Sequence, residues 1–488
     1  MPDCSTATTA AGHRFSAENL RRSALLLICP LLLLASGVSV LLAEGKPLPP
    51  AKAKPAGSTA DARPGTSPAS STPAKEKIRV AGVVTLFGKN SHPEVICGRL
   101  MAGENLNGQD PYPGLELVSL YIDQPEHSEY GLEMAKKHGV PVFDTITGAL
   151  TLGGEKLAVD GVLLVAEHGK YEKDVNEQKL YPKLRLFTEI AGVIEQSGRS
   201  IPVFSDKHLS HTWSEADAIY RTARRLNIPL MAGSSLPSYQ RKPALNVPQE
   251  APLEQIIVVG YGSNEAYGFH ALEALQCLAE RRKGGETGVK SVQALTGDAV
   301  WAAGEAGLYD PELLQAALDA GPRRRRADKP LTESVRNPSV VVIEYRDGLR
   351  GLMFMLNGTA VEFTAAWKPG PAQAVSDQSA SEQPADQSSS SEPAGNPASP
   401  PKHPATLFSL QEVRPYSHFT YLVRGVEQMM RTGKATWPVE RTLLTTGILN
   451  ASMISRKENG RLVETPYLDI EYRSNWEWSQ PPPPIVTE

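Results

Sequence analysis

Cysteine is nearly missing from this chain. Four in 488 residues are too few for a disulfide framework. Cys4 and Cys29 fall in an apolar leader, and Cys97 and Cys277 are far apart, so no zinc spacing arises either. Both fall in helix patterns and read as small core residues. A charge excess of one sign is missing too. Fifty Lys and Arg against 54 Asp and Glu leave a net −4, which gives no electrostatic case for nucleic acid. The local exception, Arg323 to Arg326, reads as a solvated loop. Glycines are missing where a dinucleotide fold needs them. After the first strand pattern the chain reads Thr85-Leu86-Phe87-Gly88-Lys89-Asn90-Ser91-His92. Gly82 and Gly88 do not make G-x-G-x-x-G, and Leu86 and Phe87 put bulk where backbone should approach a pyrophosphate.

What is present describes a globular chain. With 41% hydrophobic and 21% charged residues, the length fits two domains. Residues 1–44 read as a signal peptide or membrane anchor. Arg21-Arg22 precedes an apolar run to about Ala43, long enough for a signal core or a span of roughly 20 residues. The expected location is therefore outside the cytoplasm, periplasmic or anchored to the outer face of the cytoplasmic membrane. Residues 45–76, rich in Pro, Ala, Ser and Lys, read as a flexible spacer. Residues 370–404, rich in Ser, Pro and Gln, read as a disordered insert looping out of a folded domain.

Residues 77–240 alternate strand and helix patterns. Strands are expected at 78–84, 115–122, 140–143, 159–166, 201–204 and 228–232, with helices between them. Thr212 and Glu215 form a capping box for the helix that follows, and Asn227 stands at its left-handed end. Such alternation predicts βαβ units and a parallel sheet. Asp123, Glu167, His168, Asp206, Lys207, His208, Ser234 and Ser235 each follow or end a strand pattern. They would gather along the carboxyl edge, where parallel α/β sheets bind ligands. Residues 250–475 differ. A strand at 255–259 enters a helix carrying His270, and later strands follow one another at 289–295, 339–345, 349–356 and 359–364. Asp347-Gly348 is a hairpin signal. The fold class is α/β: a Rossmann-like parallel sheet domain followed by an α+β domain with an open, mostly antiparallel sheet.

The order of elements resembles the glucose–fructose oxidoreductase / inositol dehydrogenase / rhizopine catabolism (Gfo/Idh/MocA) family. Asp206-Lys207-His208 stands where the family has Glu-Lys-Pro. Tyr267 to Leu275 looks like the segment opening the family's second-domain helix. The helices after Phe419 are similar to the family's returning helices. The resemblance covers roughly residues 78 to 300 and 415 to 455. It implies an NAD- or NADP-dependent oxidoreductase acting on a sugar, polyol or glycoside. By the same resemblance Lys207 and His270 are the catalytic pair, and Gly82, Gly88, Asp123, Glu167, His168 and Lys207 face the cofactor. His208 and Glu265 would face substrate, Glu265 lying beside Ala266, where the family has an aspartate. The resemblance also implies a homo-oligomer formed through the second sheet's exposed face.

The departures keep other readings open. Glu167-His168 replaces the family's Thr-Pro, and an inserted polar stretch, Gly169 to Lys183, would lie over the cofactor side of the cleft. A non-catalytic carbohydrate-binding or scaffold relative without cofactor would explain the bulky turn. A metal-assisted lyase or hydrolase could use His208-x-x-His211 with Glu167 and His168. That spacing is common by chance, and no metal ligand is assigned.

Overall fold

The computed structural model describes residues 76–108, 112, 114–322, 329–370 and 403–483. The leader, nearly all of the spacer, the Arg323–Arg326 run and most of the 370–404 insert lie outside the described residues.

The first sheet holds β1 (Ile78–Val84), β2 (Leu115–Ile122), β3 (Val142–Phe143), β4 (Gly161–Val165), β5 (Val203–Asp206) and β6 (Leu230–Gly233). Their order is β3-β2-β1-β4-β5-β6, and every pairing is parallel. This is the doubly wound, dinucleotide-binding order. Its direction reverses between β1 and β4, so the crevice beyond their carboxyl ends is where a ligand sits. Helices α1 (Arg99–Ala102), α2 (Glu129–His138), α3 (Ile146–Thr151), α4 (Lys183–Ser197) and α5 (Trp213–Arg225) connect the strands. The strands are apolar runs because both faces are covered. Val80, Val84 and Leu163 pack to one side, and Ala81, Val83, Val162 and Leu164 to the other.

Local chemistry explains the boundaries. Thr212 Oγ1 accepts the Glu215 N–H at 3.4 Å and caps α5. The Glu215 carboxylate turns instead to Ser210 Oγ at 2.5 Å, so the capping box is half made. Asn227 takes a positive φ of 53° beyond the helix, as expected. Between β1 and β2, where a helix is expected, the chain first forms a π-helical segment at Glu94–Gly98, which runs into α1.

The second sheet is mixed. It contains β7 (Arg241–Lys242), β8 (Leu253–Gly260), β10 (Val289–Thr296), β11 (Ser339–Tyr345), β12 (Arg350–Met355), β13 (Phe363–Pro369), β14 (Ala405–Phe408) and β15 (Val463–Glu464). Its order is β15-β10-β11-β12-β8-β13-β14-β7, antiparallel except where β12 meets β8. A separate ribbon pairs β9 (Glu286–Thr287) with β16 (Glu471–Tyr472). The strand expected at 359–364 lies later, at 363–369, because Asn357 to Thr359 turn first. Strict alternation divides the sheet's faces. Ile256, Val258, Val341 and Met353 face α6 (Ala266–Ala279) and α11 (Val439–Lys457). Ile257, Val259, Val340 and Leu352 face α7 (Asp298–Glu305), α8 (Pro311–Asp319) and the short α9 (Leu331–Ser334). Both faces of the second sheet therefore carry helices. The remaining helix, α10 (Ser417–Thr432), packs against the first sheet.

Candidate functional site

The ends of β1, β4 and β5 meet the start of α6 around a cleft of about 350 Å³. Asn90, His92, Glu167, His168, Tyr181, Lys207, His208, Glu265, Ala266, Tyr267 and His270 line it. Six residues singled out from the sequence therefore converge there: Glu167, His168, Lys207, His208, Glu265 and His270. Five lining residues were not foreseen as site groups: Asn90, His92, Tyr181, Ala266 and Tyr267.

Glu167 is the electrostatic centre. Its Oε1 accepts from Lys183 Nζ at 2.6 Å and its Oε2 from Lys207 Nζ at 2.7 Å. Burial pushes this carboxyl up, but the two ammonium groups outweigh it and hold the group far below the usual carboxylate range. Lys183 is fully buried at the start of α4. It also donates to the carbonyls of Asp206, Lys207 and His208 at 2.8, 2.5 and 2.5 Å. These bonds tie down the turn after β5. Burial lowers the Lys183 ammonium below its ordinary value. For Lys207 burial acts the same way, yet Glu167 and Asp206 outweigh it and raise the group. Lys207 therefore stays a cation, a hydrogen-bond donor and not a proton acceptor.

Two histidines are oriented for proton work. His92 Nδ1 meets Asp206 Oδ2 at 2.5 Å, and Asp206 is almost fully buried. A carboxylate on Nδ1 fixes the tautomer and leaves Nε2 as an acceptor. The His92 ring packs edge-on against His168 and Phe419. His270 Nδ1 meets Ser234 Oγ at 2.6 Å, and burial holds the ring well below the ordinary histidine range. Burial likewise pushes His168 and His208 down to about 3. His208 packs edge-on to Phe269, with its Nδ1 unpartnered. Glu265 is raised by burial, and its Oε1 accepts the Lys179 N–H at 2.6 Å.

The cofactor-side residues are disposed differently. Gly82 lies inside β1, where an added Cβ would come 2.6 Å from Leu120 Cδ2 and 3.2 Å from Cys97 Sγ. It admits close packing beneath the strand and does not reach the cleft. Gly88 closes a turn with Ser91, whose Oγ accepts the Gly88 N–H at 3.1 Å and donates to its carbonyl at 2.6 Å. The Asn90 N–H is capped by Glu94 at 2.5 Å. Phe87 is buried on Gly131 of α2, where a Cβ would come 2.3 Å from it.

Asp123 does stand at the end of β2. Its carboxylate accepts from Tyr121 at 2.9 Å, Tyr171 at 2.7 Å and Arg185. Burial pushes Asp123 up, but these bonds outweigh it and hold the group below its ordinary value.

Tyr171 belongs to the stretch expected to cover the cofactor side. That stretch is a small hairpin: Lys173 bridges Lys179 antiparallel, and Asp174 Oδ1 accepts the N–H groups of Asn176 and Gln178, both at 2.8 Å. One end is held by Gln124 on the Lys170 backbone at 2.9 and 3.2 Å. The tip is held by Gln178, bonded to the His211 carbonyl at 2.7 Å and to Asn450 of α11 at 2.8 Å.

His208, His211, Glu167 and His168 do not form a metal cluster. Among the described residues, the group whose ligand atoms lie within 4.8 Å of one another is Asp310, Glu312 and His403.

No protein-family model and no curated protein matches this sequence. Among solved structures the chain is similar to GenD2 from gentamicin A biosynthesis, in complex with NAD. Identity is 15%, the TM-score 0.46, and the match covers 80% of this chain and 97% of that one. It is also similar to myo-inositol 2-dehydrogenase from Lactobacillus plantarum, at 13% identity and TM-score 0.42, covering 80% and 99%. A third is UDP-N-acetylglucosamine 3-dehydrogenase from Acidithiobacillus ferrooxidans, at 11% and 0.40, covering 79% and 99%. What the site can do is read from its own geometry.

Proposed function

We propose that this protein is an oxidoreductase acting on a sugar, polyol or glycoside, with NAD or NADP as hydride carrier. The observation that carries the reading is the meeting, in one cleft at the sheet's switch point, of a charged lysine and two oriented histidines. Solved structures of similar fold include one with NAD bound, which agrees with it. A nicotinamide, when bound, takes or gives the hydride. The chain's residues do the rest. Lys207 is held at Nζ by Glu167 and polarises a substrate oxygen. His92, oriented by Asp206, accepts or returns the hydroxyl proton at Nε2. His270 is neutral and donates or accepts a hydrogen bond through the ring nitrogen not engaged with Ser234. General acid/base help of this kind is worth roughly 10²–10⁴-fold. Tyr181 and Tyr267 line the same cleft and supply aromatic surface for a sugar.

The chain's fit to the dinucleotide differs along its length. The cleft, lined by Lys207, Glu167 and His168, suits the nicotinamide end. The adenosine diphosphate end is held by the chain itself. Three donors occupy Asp123, and Ser91 and Glu94 cap the Gly88 and Asn90 amides. Dinucleotide binding on this reading requires the hairpin to lift from Asp123. The same observation favours a second reading, a carbohydrate-binding relative that uses no dinucleotide.

Turnover with a panel of polyols and sugars, given NAD and NADP, tests the choice. Lys207→Ala abolishes turnover under the first reading. Under the second, no member of the panel reduces either cofactor, and sugar binding survives the substitution. We place the protein outside the cytoplasm on the strength of the apolar leader; fractionation of the cells that make it checks this.

A further inference from the structure

A second cluster of chemistry-bearing groups lies far from the cleft in sequence and belongs to the second sheet's helical face. Asp310 opens α8. Its Oδ1 accepts the Glu312 N–H at 2.9 Å and the Leu313 N–H at 3.4 Å, and its own N–H donates to Gln255 at 3.0 Å. The carboxylate is therefore fixed in place by the helix cap, with Oδ2 left over. His403 precedes β14 and is only 5% exposed, and among the described residues neither of its ring nitrogens has a hydrogen-bond partner. Its Nε2 stands 3.9 Å from Asp310 Oδ2, beyond hydrogen-bond range. One atom each from Asp310, Glu312 and His403 lies within 4.8 Å of the others. Glu312 and His403 also line a cavity of about 660 Å³ whose other walls include Pro243, Leu245 and Ala316.

A neutral imidazole carries one donor and one acceptor. Burying both without partners is rare, and each such case asks for an explanation, an ion among them. The donor set is one nitrogen and two carboxylates. That suits a borderline divalent cation such as zinc, which takes histidine and carboxylate together. Calcium and magnesium prefer oxygen alone. Three protein ligands, two of them on the cavity wall, leave at least one position for water or a small ligand. Lys368 Nζ is 3.8 Å from Asp310 Oδ2, but its bond is to Glu254 at 2.9 Å. Its charge opposes a cation without blocking it.

We propose that Asp310, Glu312 and His403 bind one zinc-class divalent cation at a site separate from the cleft. The cation joins His403 Nε2 to the two carboxylates, and Nδ1 keeps the ring proton.

The test is calorimetric titration of the full-length chain, stripped with EDTA, with zinc chloride. One equivalent binds. His403→Gln and Asp310→Asn each weaken it by more than about tenfold, the order lost when the surroundings of a metal site are disturbed. Asparagine preserves the helix cap, so this variant separates ligation from folding. Lys368→Met tightens binding. Because cleft histidines could also take zinc, cobalt chloride supplies a second readout. Its visible bands vanish in His403→Gln and persist in His208→Gln. No saturable zinc binding by the wild-type chain would overturn the proposal. So would one equivalent unaffected by both His403→Gln and Asp310→Asn.

Discussion

Two lysines share one carboxylate, and their roles separate at the scale of single residues. Lys183 is buried, with four acceptors around its ammonium. Removing it leaves Glu167 underpaired and three carbonyls short of a donor. Lys183→Met should cost about 3–5 kcal/mol, as breaking a buried pair does. Urea unfolding measures it; a loss under about 1 kcal/mol would contradict the assigned role. Lys207→Met leaves the Lys183 bond to Glu167 in place, so it should cost less stability and more activity. His92→Asn should reduce kcat/KM by roughly 10²–10⁴-fold, as loss of a general base does. A loss under about threefold would move the proton work to His270. Neither Lys183 nor His92 was visible as a site group in the sequence. Lys183 reads as the end of a polar insertion, and its partners lie 16 to 25 residues on or back. His92 pairs with Asp206 across 114 residues, a distance no local motif spans.

At the scale of elements, the parallel sheet was legible because its strands are apolar runs ended by polar residues. The carboxyl-edge groups were legible for the same reason: a strand's end fixes where the next side chain goes. The 339–356 hairpin was legible through Asp347-Gly348, and Gly348 does take φ of 91°. The 359–364 strand was misplaced because Asn357 and Gly358 turn before the run begins, while apolar and β-branched residues continue through both stretches. The cofactor side was half legible. The insertion's position was read from sequence, but not that its Tyr171 would take the carboxylate expected to face ribose. That bond depends on a fold-back between β2 and the segment after β4. Tyr171→Phe removes one donor from Asp123. It should tighten NAD binding by about five- to tenfold if the hairpin must lift, given about 1–1.5 kcal/mol for such a bond. Equal affinities would mean the hairpin does not compete. Gly131→Ala should be costly too, about 1–3 kcal/mol, since Phe87 fills the space a methyl group needs. Thermal unfolding of that variant checks the packing of the turn after β1.

For the whole molecule, the buried histidines set the pH response. His168, His208 and His418 are pushed by burial down to about 3, against about 6.5 in an unfolded chain. Between those values the unfolded state binds more protons, so stability falls as pH falls. The loss approaches about 1.4 kcal/mol per pH unit for each group below pH 6. Glu167 acts in the same sense further down. Its depressed value stabilises the fold above about pH 4.3, and that contribution fades in stronger acid. Melting temperatures at pH 7, 5.5 and 4 should drop steadily, and His208→Gln should flatten the slope by about one proton. A flat profile would contradict this burial. The cleft is the larger claim, and native mass spectrometry of the full-length chain with NAD and NADP tests it most directly. One dinucleotide should bind per chain, with more adduct at a given concentration for Tyr171→Phe. A folded protein that takes up neither dinucleotide, in wild type or variant, would contradict the oxidoreductase reading and leave a carbohydrate-binding cleft.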